Sequence, residues 1–340
     1  MLSRVKVVDS EPSSCGMIGL VRQIVGGENY RLTTRERPIA NNPAPKRPAA
    51  LAGALCGLGS AWLFGVSAPL GKLLLPRVDG WVLAGLFYIG AGAGLGLFRV
   101  VQRVIQGDRA TGVPLKKDDV PLLLLIACIG GGAGPVLLLF GLGHLSGVAG
   151  SLLLNLEAVF TMLLAVLFFG ERLSMRETAA ASVVLGGALL LSLSGGRVAT
   201  ELIGIASVAG ACLAWGLDNN LTARLSHRNA VDLVRFKATT AGIGNLALAL
   251  AAGRPLPDRA TIGAAVAVGF VCYGLSIVLD VYALRYVGAA REAAFFATAP
   301  FAGAIVAVPL LGERMGAREL AAAGVMAGGV ALLVRVGRLR

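Results

Sequence analysis

From residue 51 onward, apolar runs alternate with short polar joints. The runs are Leu51–Leu75, Gly80–Val101, Val120–Leu142, Ser146–Phe169, Thr178–Leu193, Leu202–Leu221, Val231–Ala252, Thr261–Tyr282, Ala289–Leu311 and Arg318–Val336. A helix needs about 20 apolar residues to cross a bilayer core. The pattern therefore predicts an all-α polytopic membrane protein with ten transmembrane helices. The joints carry Pro, Gly or charge, as in Pro76-Arg77, Lys116-Lys117-Asp118-Asp119, Ser194-Gly195-Gly196 and Gly253-Arg254-Pro255.

The fourth run ends in Gly170-Glu171-Arg172, and the same ending recurs 142 residues later as Gly312-Glu313-Arg314. Aligned without a gap, Leu154 to Leu191 matches Phe296 to Leu333 at 15 of 38 positions. The matches include Arg176-Glu177 with Arg318-Glu319, and Gly186-Gly187 with Gly328-Gly329. A dense echo at a fixed offset marks a duplication. It divides the chain into a first repeat, residues 51–193, a second repeat, residues 202–336, and a short end, residues 337–340.

Lys and Arg set the orientation of such a chain, because they are retained on the cytoplasmic side. With the N-terminus placed in the cytoplasm, 24 fall on the cytoplasmic side and 6 outside. Both termini are then cytoplasmic. Five crossings per repeat is an odd number, so the two copies sit inverted relative to each other. Inverted repeats with a site near the midplane are a transporter architecture.

Composition supports a lipid solvent. The chain is 56% hydrophobic and 15% charged, against about 25% charged in soluble domains. Its 47 glycines suit closely packed membrane helices. The net charge of +12 follows the topology, which argues against a nucleic-acid partner. The five cysteines are scattered without metal spacing and read as small packing residues. Residues 1–50 hold eight Lys and Arg and end in a Pro-rich run, which predicts a disordered cytoplasmic tail or an over-extended start with Met17 as the true one.

Ten spans in two copies, each with an apolar helix closing on Gly-Glu-Arg, resemble the EamA-type families of the drug/metabolite transporter superfamily. Phe64-Gly65 and Trp215-Gly216 in the first spans of the two copies fit as well. The phrases Leu154 to Phe160 and Thr298-Ala299-Pro300-Phe301 are similar to the family's fourth-helix motif. Pro300 keeps the motif's proline, and Ala158 stands in its place in the first copy. The resemblance implies an inner-membrane permease for a small metabolite or drug, often an exporter and often proton-coupled. It implies no cofactor and admits a homodimer.

Glu157 is the sharpest candidate for chemistry. It sits in the middle of its run, where a charge costs about 2.5–3.5 kcal/mol. Two readings follow: a carboxylate that faces a cavity and carries protons, or a protonated, hydrogen-bonded structural group. Asp218, Asn219 and Asn220 are three adjacent polar residues that cannot all face lipid. They either line a pathway or end a helix. Asp280 lies near the end of its span, with an ion pair to Arg285 as the plainer reading, and Glu292 reads as a helix cap. Lys72 either snorkels to the headgroups or meets a substrate carboxylate. Trp62, Trp215, Phe295 and Phe296 either stack a planar substrate or simply pack. Pro300 completes the pathway candidates.

Among functions, a secondary transporter of a small solute leads. No P-loop is present for ATP-driven transport. A lipid-handling or scaffold protein is the alternative. An intramembrane enzyme is weaker: the chain has only His144 and His227, too far apart for an HExxH zinc site. The charge count yields a direct test of topology. Epitope tags on both termini are expected to be protected from protease in right-side-out vesicles; cleavage of either would refute the orientation.

Overall fold

Lipid offers the backbone no hydrogen bonds, so apolar segments must satisfy their own N–H and C=O groups as helices. The computed structural model describes residues 47–106, 113–169, 173–192, 198–225, 227–287, 292 and 295–337. The described residues belong to the unit Pro45–Arg340. The N-terminal tail and the Gly170-Glu171-Arg172 ending lie outside the described residues, as does Arg291.

Ten helical rods occupy the ten expected places among the described residues. They are α1 (Arg47–Leu74), α2 (Gly80–Gln106), α3 (Val120–Ile126, Ala127–Ala133 and Gly134–Leu142), α4 (Gly147–Leu153 and Leu156–Phe169) and α5 (Met175–Ser192). The second set is α6 (Val198–Ala223), α7 (Ala230–Ala251), α8 (Arg259–Val268, Gly269–Leu275 and Ser276–Val287), α9 (Ala299–Leu311) and α10 (Ala317–Gly337). Seven are long and apolar enough to cross a membrane by themselves, and α9 is a shorter apolar helix. The other two are α5 and α7. Of these α7 carries Asp232, Arg235 and Lys237 in its first half.

The packing repeats the duplication. Helices α2 and α7 meet, as do α4 and α9, and α5 and α10. α1 packs on α8 and α9, while α6 packs on α3 and α4. Exchanging each helix with the one five places away leaves this pattern unchanged, which is the signature of a two-fold relation between the repeats. The middle of α3, Ala127–Ala133, is a π-helix, and so is the middle of α8, Gly269–Leu275. The two π segments are 142 residues apart, the offset of the sequence repeat.

Ends and joints are closed by side chains. Gly312 ends α9 in the left-handed region at φ 65°, which glycine adopts without a Cβ clash. Glu313 then crosses to the first repeat. Its two carboxylate oxygens accept the N–H groups of Gly147, at 2.7 Å, and Val148, at 2.9 Å. These are orphan donors at the start of α4, and Ser146 takes a third from Ala149 at 3.0 Å. At the other end of the bundle, Arg99 on α2 forms a two-pronged pair with Asp232, at 3.0 and 2.9 Å. Arg228 donates to Asp119 at 2.9 Å. Several charges that the orientation count treats as free loop charges are thus tied into pairs.

Glycine makes the closest helix crossings possible. A Cβ on Gly269 would fall 2.1 Å from the Phe87 carbonyl oxygen, and one on Gly90 would fall 2.2 Å from that of Val266. Both lie where α2 crosses α8. Gly269→Val is expected to destabilise the protein by roughly 1–3 kcal/mol, the usual cost of overpacking. Gly186→Ala, at a site with nothing within 4 Å, is expected to be neutral or slightly stabilising. Melting temperatures in detergent check both; equal shifts would contradict the crossing geometry.

Candidate functional site

The site begins with two interruptions of helical hydrogen bonding. The first is in α3. Pro135 has no N–H, so it cannot donate to the carbonyls of residues 130 and 131. The helix widens into its π segment, and those carbonyls find side chains instead. Gly130 O accepts from the Trp215 indole at 2.8 Å and the Tyr88 hydroxyl at 3.1 Å. Gly131 O accepts from the Asn245 amide at 3.0 Å. Trp215 and Asn245 belong to the second repeat, so the first repeat's π-helix is anchored across the two-fold.

The second interruption is in α4, which breaks at Leu154-Asn155. No proline stands there. Asn155 breaks the helix by turning its amide onto the Leu152 carbonyl at 2.8 Å, and the Cys212 thiol lies 3.6 Å from the Leu153 carbonyl. In the second repeat Thr298 plays the matching part, donating from its hydroxyl to the Phe295 carbonyl at 2.6 Å. The first repeat thus breaks its helix where no proline stands, because a short polar side chain supplies an alternative hydrogen bond.

The break creates a new helix N-terminus in the middle of the bundle, and Glu157 sits in its first turn. A carboxylate is favoured there by the exposed N–H groups. Glu157 is half-buried. Its Oε1 accepts from the Asn219 amide at 2.8 Å. Asn220 turns the other way and bonds the carbonyls of Thr161, at 2.9 Å, and Gly216, at 2.8 Å. Asp218 is buried, packed directly on Gly130, and paired with the Lys237 ammonium.

These groups share one cavity of about 190 Å³. Glu157, Asp218, Asn219 and Lys237 give it a polar wall. Phe64, Tyr88, Trp215, Tyr273 and Phe296 give it an aromatic one. Tyr273 is the hub of the rings, with centroids 5.6 Å from Phe64, 5.8 Å from Tyr88 and 5.9 Å from Phe87. The cavity is bounded by both repeats. Its chemistry suits a small solute with charged groups at one end and an apolar or planar body.

Of the sequence candidates, the structure brings Glu157, Asp218, Asn219 and Trp215 to this cavity, together with Phe296. The others lie elsewhere. Asn220 is spent on backbone carbonyls. Lys72 does not line the cavity: its ammonium donates to the Leu142 carbonyl at 2.8 Å and also to that of Leu145. It therefore closes the carbonyl end of α3. Trp62 is exposed on the outside of α1. Phe295 packs on Gly57, and Pro300 sits in the first turn of α9. Asp280 pairs with Glu292 and lies outside the cavity wall.

Lys237, Tyr88 and Tyr273 are the additions. Lys237, one of the 24 Lys and Arg on the cytoplasmic side of the charge count, lies two turns inside α7. The signal was present, since a Lys within an apolar run obeys the same rule that singled out Glu157. The two tyrosines carried no such signal. A second cavity, of about 340 Å³, runs along α2, α3 and α7 past Trp81, Val136 and Leu248, and among the described residues no acidic or basic side chain lines it.

The bundle of apolar helices, its two-fold plan and the charged cavity between the repeats define a polytopic membrane transporter. The chain matches the EamA-like transporter family over residues 51–193 and 202–335, and it belongs to that family. It is 30% identical over 286 residues to a protein of Methanothermobacter thermautotrophicus named as an uncharacterized transporter, covering 79% of this chain and 82% of that one. A probable terminal-alkyne amino-acid exporter of Streptantibioticus cattleyicolor is 31% identical over 120 residues, covering 35% of this chain and 39% of the other. A solved structure titled "Crystal structure of protein" superposes with a TM-score of 0.59 at 20% identity, over 85% of this chain and 98% of that one. That likeness concerns the fold.

The position of the cavity can be probed by labelling. In a cysteine-free background, Val234→Cys on the cavity wall is expected to react with a water-soluble maleimide. Ile243→Cys, on the exposed apolar face of the same helix, is expected to stay unlabelled in membranes. Labelling of the second alone would displace the aqueous pathway from this site.

Proposed function

We propose that the protein is a secondary transporter that exports a small amino-acid-like solute across the plasma (inner) membrane, with both termini in the cytoplasm, and that Glu157 couples the movement to protons. The observation that carries the reading is the cavity itself: a carboxylate at a mid-bundle helix N-terminus, hydrogen-bonded on one oxygen, in a wall built by both repeats. A carboxyl group in such a place can alternate between a proton and a cationic solute group as the cavity is exposed to either side. The name of the Streptantibioticus cattleyicolor relative supports an amino-acid-like solute. The lipid-handling alternative rests on the uncharged second cavity beside α2, α3 and α7.

Purified protein in proteoliposomes separates the readings. A pH gradient is expected to drive accumulation of labelled solute from an amino-acid panel. Glu157→Gln is expected to abolish the gradient-driven component, a loss of tenfold or more, while leaving expression and the melting temperature near wild type. Gradient-driven flux unchanged in Glu157→Gln would remove Glu157 from proton coupling. Lipid scrambling without solute flux would favour the alternative.

A further inference from the structure

Lys237 is the one basic side chain on the cavity wall among the described residues, and its ammonium is paired with Asp218. The two members of this pair are held very differently. Asp218 is fixed: its side chain is 5% exposed, it presses on the Cβ-less face of Gly130, and the Thr222 hydroxyl donates to it at 3.4 Å. On its Gly130 side the carboxylate is hard against backbone, since a Cβ at Gly130 would lie 2.3 Å from the Asp218 carboxyl carbon. Lys237 is more open, at 16% exposure, and sits on a flexible four-carbon stem with three donors.

From this we infer that Lys237 is the residue that binds a carboxylate of the transported solute, with Asp218 acting as the built-in carboxylate that holds the ammonium when the cavity is empty. This rests on the cavity being the solute site. A buried ammonium left without a counter-charge is costly, so an empty site needs such a stand-in. An arriving carboxylate exchanges with Asp218 or shares the ammonium with it, and a zwitterionic solute adds no net charge to the polar wall. Glu157, on the same wall, has an oxygen left for the solute's ammonium group. The aromatic wall of Phe64, Tyr273 and Phe296 takes the body. The site thereby selects zwitterions that carry a free carboxylate over their neutral-ended analogues.

The test is binding to the purified full chain in nanodiscs. The probes are radiolabelled L-phenylalanine and L-leucine, competed by the same acids and by their carboxamides. Wild type is expected to prefer each acid over its carboxamide by tenfold or more. Asp218→Asn, which removes the competing carboxylate, is expected to tighten acid binding severalfold. Lys237→Gln leaves Asp218 uncompensated and can fail to fold, so the neutral pair Lys237→Gln with Asp218→Asn is the deciding variant. It is expected to bind acid and carboxamide alike. Equal binding of acid and carboxamide by wild type, or a preference retained in the neutral pair, would overturn the role of Lys237 while leaving the transporter reading in place. Weaker acid binding in Asp218→Asn would overturn the exchange. Binding of none of these probes by wild type would overturn the amino-acid reading of the cavity and this inference with it.

Discussion

Backbone hydrogen bonding in lipid governs this molecule. A helix that crosses the bilayer can be interrupted only where other groups take over its free carbonyls and amides. Here α3 widens ahead of Pro135 and α4 breaks at Asn155. In both places the substitutes are side chains from neighbouring helices or from the break itself: Trp215, Tyr88 and Asn245 on one, Asn155 on the other. Of the residues that repair the backbone, Trp215 and Tyr88 also line the charged cavity, while Asn245 lines the second one. Structure and site are built from the same hydrogen bonds.

Charge follows the same economy. Glu157 occupies the helix N-terminus that the break in α4 exposes, Asp218 is countered by Lys237, and Glu313 caps the start of α4 from the other repeat. Each of these three carboxylates answers a partial or full charge of opposite sign. The two-fold plan is kept by the backbone and broken by these side chains. The π segments repeat at 142 residues, yet Ala299 stands where the first repeat has Glu157. A symmetric frame can present two faces in turn, while an asymmetric site gives the solute one defined seat.

Much of this was legible in the chain. The apolar runs placed the helices, and the Gly-Glu-Arg echo gave the duplication. A carboxylate in the middle of a run marked Glu157, because a charge there is too costly to be idle. The same rule applied to Lys237 would have marked it too; its proximity to other basic residues disguised it as loop charge. Trp62 and Phe295 were suggested by residue type, Lys72 by a charge near the end of its run and Pro300 by the family's motif. Type does not say which way a side chain faces, and these four face away from the cavity or are held by the backbone.

The sequence by itself determined the class of fold, the repeat and the location of one acidic group. These follow from local hydrophobicity and from an internal comparison, and neither needs distant contacts. Tertiary structure alone decided which polar groups meet. Asp218 and Lys237 are on different helices, and Asn219 reaches Glu157 across 62 residues of chain. Nor could the run of residues show that α4 would break without a proline. That depended on Asn155 finding a carbonyl beside it and Cys212 arriving from α6, a balance of hydrogen bonds that exists only after the helices have packed.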